Sequence, residues 1–215
     1  MKYSQGNEQE IISNFFNGRV GRYLDIGAFD GVASSNTLAL AELGWQGTAI
    51  EASPWNFKRL KSNYEERNLT TNVRLIEAAA VPNNYPAQIK FYETHHIHNP
   101  EPGTGIGSFS SEHANKEILR NEHIYYGEVL ETIVDTIKVK DIFHNTNYNF
   151  ISIDVESFNL ELMVSIPWET LTDLELICIE SDLAFWRYIN FMKPLGWKVL
   201  TIENFNLFFV RCEIE

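Results

Sequence analysis

Two glycines and five acidic residues stand where chemistry on a small ligand can be done. Asp25-Ile26-Gly27-Ala28-Phe29-Asp30-Gly31 follows an apolar run and precedes a stretch of helical period. Glycines at a strand-to-helix turn let backbone N–H groups approach a ligand near a helix N-terminus. Glu51 ends the next strand after one helical crossover, with Ala52 and Ser53 behind it. A carboxylate placed there accepts hydrogen bonds from the two vicinal hydroxyls of a ribose. Strand, glycine turn, helix, strand and acid in that order make a nucleoside site. The plainer reading leaves Gly27 and Gly31 as turn glycines and Glu51 as a solvated strand end. Further along, Asp154 and Glu156 follow Phe150-Ile151-Ser152-Ile153. In an open α/β sheet the C-terminal strand ends face the ligand crevice, so Asp154 is the first choice for a proton acceptor or acceptor-orienting group. Capping the next helix is an equal alternative for it.

The turn spacing says which nucleoside. Gly-x-x-x-Gly with Phe29 inside it differs from the G-x-G-x-x-G that cradles a pyrophosphate, which disfavours a dinucleotide. Asp25 and Asp30 would repel pyrophosphate but suit a ligand carrying a sulfonium and an α-amino group. S-adenosylmethionine has that charge pattern. Asn36 and Thr37, after a Ser34-Ser35 cap, either touch its methionine carboxylate or close the helix start. Ala79 and Ala80 are small enough to let an adenine edge approach the backbone. Trp55 could pack on adenine, although a tryptophan at a helix start is more often core. His95, His96 and His98 fall within four residues. Without a nearby cysteine or i, i+4 spacing they read as a polar loop over the acceptor rather than a metal site, with His98 the second candidate base, ahead of His113.

The elements that must hold these groups alternate. Strands are predicted at Arg22 to Ile26, Thr48 to Glu51, Val73 to Ala78, Phe150 to Asp154, Glu175 to Glu180, Lys198 to Ile202 and Asn206 to Arg211, with helices over Ser35 to Leu43 and Trp55 to Arg67. Gly44 and Asn68 are expected as left-handed helix ends. Apolar, β-branched strands between helical crossovers imply a parallel sheet covered on both faces. The last two strands are separated only by Glu203-Asn204-Phe205, too few residues for a crossover, so the final strand must run antiparallel. Residues 82–132 interrupt the alternation with four of the seven prolines and five of the six histidines. They form a loop-rich insertion, with Gln88 to Tyr92 as an extra strand, expected to cover the acceptor. The whole chain, 1–215, reads as one α/β domain. Cys178 and Cys212 sit in apolar runs and are expected to be buried packing residues.

Composition narrows the partners. With 17 Lys plus Arg against 29 Asp plus Glu, the net charge is −12. That leaves no basic face to neutralise a run of phosphates, so nucleic acid is not expected as a partner. No run reaches the length of a membrane span, and the start lacks the apolar core of a signal peptide; the chain is read as soluble and cytoplasmic, with no membrane partner. Its oligomeric state is unknown.

Four segments together resemble a known family: YLDIGAFDGVASSNT (23–37), GWQGTAIEASPWNFKRLKSN (44–63), the opening YSQGNE (3–8) and FISIDVESFNLELM (150–163). They are similar to the FkbM family of S-adenosylmethionine-dependent methyltransferases. The resemblance implies a Rossmann-like class I methyltransferase fold, a mostly parallel seven-stranded sheet ending in an antiparallel hairpin. It also implies transfer of a methyl group to a hydroxyl of a small-molecule or carbohydrate-type (glycan) acceptor. Asp25, Gly27, Ala28, Phe29, Asp30, Gly31, Asn36, Thr37, Glu51, Ala52, Ser53, Ala79 and Ala80 would hold the cofactor. Asp154 or His98 would be catalytic. One position departs: the family typically carries Gly after its D-x-E, where this chain has Ser157. An NAD-dependent oxidoreductase and a non-catalytic nucleoside-binding scaffold are the rival readings.

Overall fold

The structure is a computed structural model; it describes residues 2–96, 107–120, 125–181 and 184–212. The elements run α1 (Glu8–Phe16), β1 (Arg22–Ile26), α2 (Leu38–Glu42), β2 (Gln46–Glu51), α3 (Pro54–Glu66), β3 (Val73–Glu77), β4 (Ala79–Val81), β5 (Gln88–His96), β6 (Gly107–Ser108), α4 (Ser111–Arg120), β7 (Tyr125–Lys138), α5 (Val139–Ile142), β8 (Phe150–Ile153), α6 (Asn159–Ser165), β9 (Leu176–Glu180), α7 (Phe185–Met192), β10 (Trp197–Glu203) and β11 (Asn206–Arg211). Seven strands form the main sheet in the order β10-β11-β9-β8-β1-β2-β3. β1, β2, β3, β8 and β9 are parallel, and β11 lies antiparallel between β9 and β10. This is the mostly parallel sheet with an antiparallel last strand that the strand spacing and the short final connection predict, and the arrangement the family resemblance implies.

Alternation along each strand divides the core in two. Leu24, Ile26, Ile151, Ile153, Ile177 and Ile179 point to the face covered by α5, α6 and α7, where Leu162, Met163, Tyr188 and Met192 meet them. Tyr23, Phe150, Leu176 and Phe208 point the other way, onto Ile12 and Phe16 of α1, Leu38 of α2, and Leu60 and Tyr64 of α3. The central strands β1, β8 and β9 are buried on both faces and so read as continuous apolar runs in the sequence, whereas the edge strands β3 and β10 are partly exposed.

The helices differ in detail. α2 begins at Leu38, later than predicted, because Ser35 Oγ accepts the Thr37 and Leu38 backbone N–H groups at 3.3 and 3.0 Å and holds that stretch as a turn. Pro54 opens α3, and Ser53 caps it by accepting the Asn56 N–H at 3.1 Å. Gly44 and Asn68 are left-handed as expected. α1 has no counterpart among the predicted elements. Cys178 is buried, but Cys212 is exposed: β11 ends one residue before it, at the rim of the sheet.

The insertion is more regular than a loop. β4, β7, β5 and β6 form a second sheet in that order, with β4 parallel to β7 and the other pairs antiparallel. The chain passes from the first sheet to the second across Ala78. Lys138 fastens the entry, its Nζ donating to the Pro86 carbonyl at 2.6 Å and also to the Tyr85 carbonyl. None of the described helices is long and apolar enough to cross a membrane.

Candidate active site

The C-terminal ends of β1, β2 and β8 open into a cleft of ≈ 370 Å³. Its floor depends on close backbone approach. Gly27 has φ +89°, and a Cβ there would lie 1.6 Å from the Asp154 carbonyl oxygen. Only glycine lets the β1 turn pass the end of β8. The Gly27 and Ala28 N–H groups donate to the Ile50 carbonyl at 2.9 and 3.1 Å, and the Asp154 N–H to the Ile26 carbonyl at 2.9 Å, which ties the three strand ends together. Gly31, φ +75°, lies behind the wall, where a Cβ would strike Leu60 and Tyr64.

Glu51 is held from both sides. Its two oxygens accept the Phe29 and Ser53 backbone N–H groups, each at 2.8 Å. Loss of water pushes its carboxyl up to about 8, against the lowering effect of those two bonds. Asp25 is likewise buried and accepts the Thr37 hydroxyl at 2.6 Å; loss of water pushes it up to about 7. Both carboxyls therefore gain from a ligand that brings hydroxyl donors or positive charge. Opposite Glu51, the small residues Ala78, Ala79 and Ala80 leave room for a flat ring, and Phe91 and Phe109 from the second sheet stand over the opening.

The other end of the cleft is carboxylate-rich. Oxygens of Asp154, Glu156 and Glu180 lie within 4.8 Å of one another, the one such grouping of possible ligand atoms among the described residues. The Asp154 side chain is reachable from the cleft yet walled by protein atoms. Its carboxyl is raised mainly by that loss of water, while hydrogen bonds to Glu180 and from the Glu156 backbone N–H pull it down. Glu180 is raised too, by loss of water and by the neighbouring charges of Asp154 and Glu156. Both shifts have the same source, carboxylates crowded together away from water at the ends of β8 and β9. Glu156 has φ +57°, a left-handed backbone seldom taken by a side-chain-bearing residue, of the kind that clusters at functional sites. His113 of α4 stands beside it, Nε2 to Oε2 3.9 Å. Ser157 bonds Ser108 of β6 through the two hydroxyls at 2.9 Å and so joins the β8 turn to the second sheet.

Of the predicted residues, Asp25, Gly27, Ala28, Phe29, Asn36, Glu51, Ala52, Ala79, Ala80 and Asp154 line the cleft. Asp30, Gly31, Thr37 and Ser53 stand behind it. Asp30 accepts the Val32 and Ala33 N–H groups at 2.8 Å and shapes the turn; Thr37 steadies Asp25; Ser53 steadies Glu51. Trp55 is 43% exposed on α3 and does not line the cleft. His98 lies outside the described residues, as do the side chains of His95 and His96. Glu156 lines the cleft beside Asp154, as the strand-end argument expected; Gln5, Asn56, Phe109 and Glu180 are site residues that sequence reasoning did not place there. Glu180 carried a usable signal, an acid ending an apolar strand as Glu51 does.

Solved structures share this fold. The methyltransferase domain of METTL16 aligns at TM-score 0.53 with 14% identity, over 97% of this chain and 67% of its own. A human methyltransferase 10 domain containing protein gives 0.51 and 12%, over 97% and 83%. A protein of the NADB-Rossmann superfamily from Streptococcus agalactiae gives 0.51 and 9%, over 100% and 71%. No curated protein matches the sequence. The methyltransferase FkbM domain model matches residues 25–181, from the glycine turn through the end of β9. The chain thus belongs to the FkbM methyltransferase family, and S-adenosylmethionine is its cofactor.

Proposed function

We propose that this methyltransferase acts on a hydroxyl of a small molecule or glycan, with Asp154 accepting the proton. The carrying observation is the Asp154 carboxyl in the cleft wall, paired with Glu180 and raised above its ordinary range. S-adenosylmethionine supplies an electrophilic methyl group on a sulfonium. Everything else falls to the chain. An alcohol becomes a competent nucleophile only as its proton leaves, and a carboxylate with a raised pKa is the better base. Alignment of the hydroxyl supplies much of the remaining acceleration. Phe91 and Phe109 offer apolar faces for the carbon skeleton of an acceptor, and Glu156 offers an oxygen to a second hydroxyl. Charge supports a neutral polar acceptor: Lys, Arg and His are absent from the described cleft wall, so nothing there receives a phosphate backbone.

The test is methyl transfer from labelled cofactor to a panel of sugars and simple alcohols by the wild type and Asp154→Asn. Asn cannot take a proton, so turnover should fall by about 10²–10⁴-fold while cofactor affinity holds. Unchanged turnover on a hydroxyl acceptor would remove Asp154 from the role.

A further inference from the structure

The opening segment Tyr3-Ser4-Gln5-Gly6-Asn7-Glu8, part of what the family resemblance rests on, has no role in the chemistry above, yet it is firmly fastened. Glu8 is 1% exposed; its oxygens accept the Gly6 N–H at 2.6 Å and Asn206 Nδ2 at 3.2 Å. Buried Ser4 accepts the Gln9 N–H at 3.1 Å and donates to the Gly6 carbonyl at 3.1 Å. Asn7 donates to Glu203 through both its backbone N–H and Nδ2 at 3.2 Å, and the Tyr3 hydroxyl donates to Glu42 at 2.8 Å. A buried carboxylate is costly unless its hydrogen bonds are met. Here they clamp the segment between the β10–β11 hairpin and α2, and the clamp leaves Gln5 exposed in the cleft wall.

We propose that Gln5 binds the amino-acid end of the cofactor, its side-chain amide donating to the α-carboxylate. The proposal rests on S-adenosylmethionine being the cofactor. That carboxylate is an anion, and the described wall holds no Lys, Arg or His to receive it. Neutral donors must do so. The wall contains three side-chain amides. Asn56 sits at the start of α3, beside Ser53 and Glu51. Asn36 Nδ2 is directed at Ser152 Oγ, 3.3 Å away, and Cys178 Sγ, 3.7 Å away. Gln5 has no hydrogen-bond partner for its side chain among the described residues. Topology puts it at the correct end. Glu51 ends β2, on one side of β1; the hairpin that carries the Gln5 segment lies on the other side, beyond β8 and β9. A nucleoside anchored by its ribose at Glu51 extends across the end of β1 toward Gln5.

The experiment is calorimetry on the full chain with S-adenosylmethionine, S-adenosylhomocysteine and 5′-methylthioadenosine, which keeps the adenosine and sulfur but lacks the amino-acid end. Gln5→Ala should weaken the first two about tenfold, the worth of one hydrogen bond to a charged group, and leave the third unchanged. Gln5→Glu, which sets a second carboxylate against the first, should weaken the same two further and again spare methylthioadenosine. Equal loss for all three ligands, or no loss for any, overturns the proposal. If the wild type binds none of them, the cofactor assignment itself falls. Gln5 is an exposed side chain, so neither substitution puts the fold at risk.

Discussion

The two ends of the cleft are built by different means. Around Glu51, the residues that matter fall between Asp25 and Ser53, on consecutive elements, and are held mainly by backbone groups: Phe29 and Ser53 N–H on Glu51, Ile50 carbonyl on Gly27 and Ala28. At the carboxylate-rich end, Asp154, Glu156 and Glu180 come from the ends of β8 and β9, and Ser108, Phe109 and His113 come from the insertion. Those groups meet side chain to side chain, in a wall that carries a left-handed Glu156. The side chain that meets a ligand common to a whole family is fixed by backbone groups, which few substitutions alter. A ligand that varies is read by side chains, each free to change.

Four results would break or sharpen this contrast. The largest is the loss of turnover in Asp154→Asn given above, read against an unchanged cofactor Kd. Equal losses in both would mean that the two ends are one unit. Next, Glu51→Ala removes the acceptor of two hydroxyl bonds and should weaken S-adenosylhomocysteine by about 100-fold in calorimetry. A loss under about threefold would show that the backbone alone holds the ribose.

Smaller, and opposite in sign for stability and binding, is the pH dependence. Asp25 and Glu51 are raised to about 7 and about 8, so the fold holds protons that the unfolded chain releases from about pH 4 upward. Stability without ligand should therefore fall as pH rises through that window. The cofactor brings cations and hydroxyl donors that favour the ionised forms, so the Tm gain on adding it should be greater near about pH 8.5 than near about pH 6. Thermal melts at the two pH values check both signs. The smallest effect belongs to Ser157→Gly, which unlinks the β8 turn from Ser108. It should change the acceptor KM a few-fold, about the worth of one neutral hydrogen bond, and leave cofactor affinity alone.

The same contrast decides what could be read from the chain before folding. The glycine turn, Glu51 and the alanines after β3 were legible because local spacing fixes their geometry. So were all seven strands of the main sheet: double burial writes the central β1, β8 and β9 as apolar runs, while the edge strands β3 and β10 are partly exposed and read from their β-branched content. Thr37 and Ser53 were seen but misplaced by one layer, since spacing puts a residue near a site without saying which way its side chain turns. Glu180 and Ser108 were not seen, because only tertiary pairing brings them to Asp154 and Ser157. The prolines and histidines at the front of the insertion suggested loop. The β-branched run Thr132-Ile133-Val134, with Thr136-Ile137 after it, which forms part of β7, was the countersignal.

The junction between the sheets has a consequence for how such an enzyme diversifies. Ala79–Val81 enter the insertion paired in register with Thr136–Lys138, which leave it, so the excursion is closed at its neck before it begins. A loop whose ends are already joined gains length at only a logarithmic cost in entropy. Behind that neck, segments can be lengthened, shortened or exchanged while the floor under the nucleoside stays still. The insertion is a socketed head on a fixed handle, and the head can change shape while the handle keeps its own.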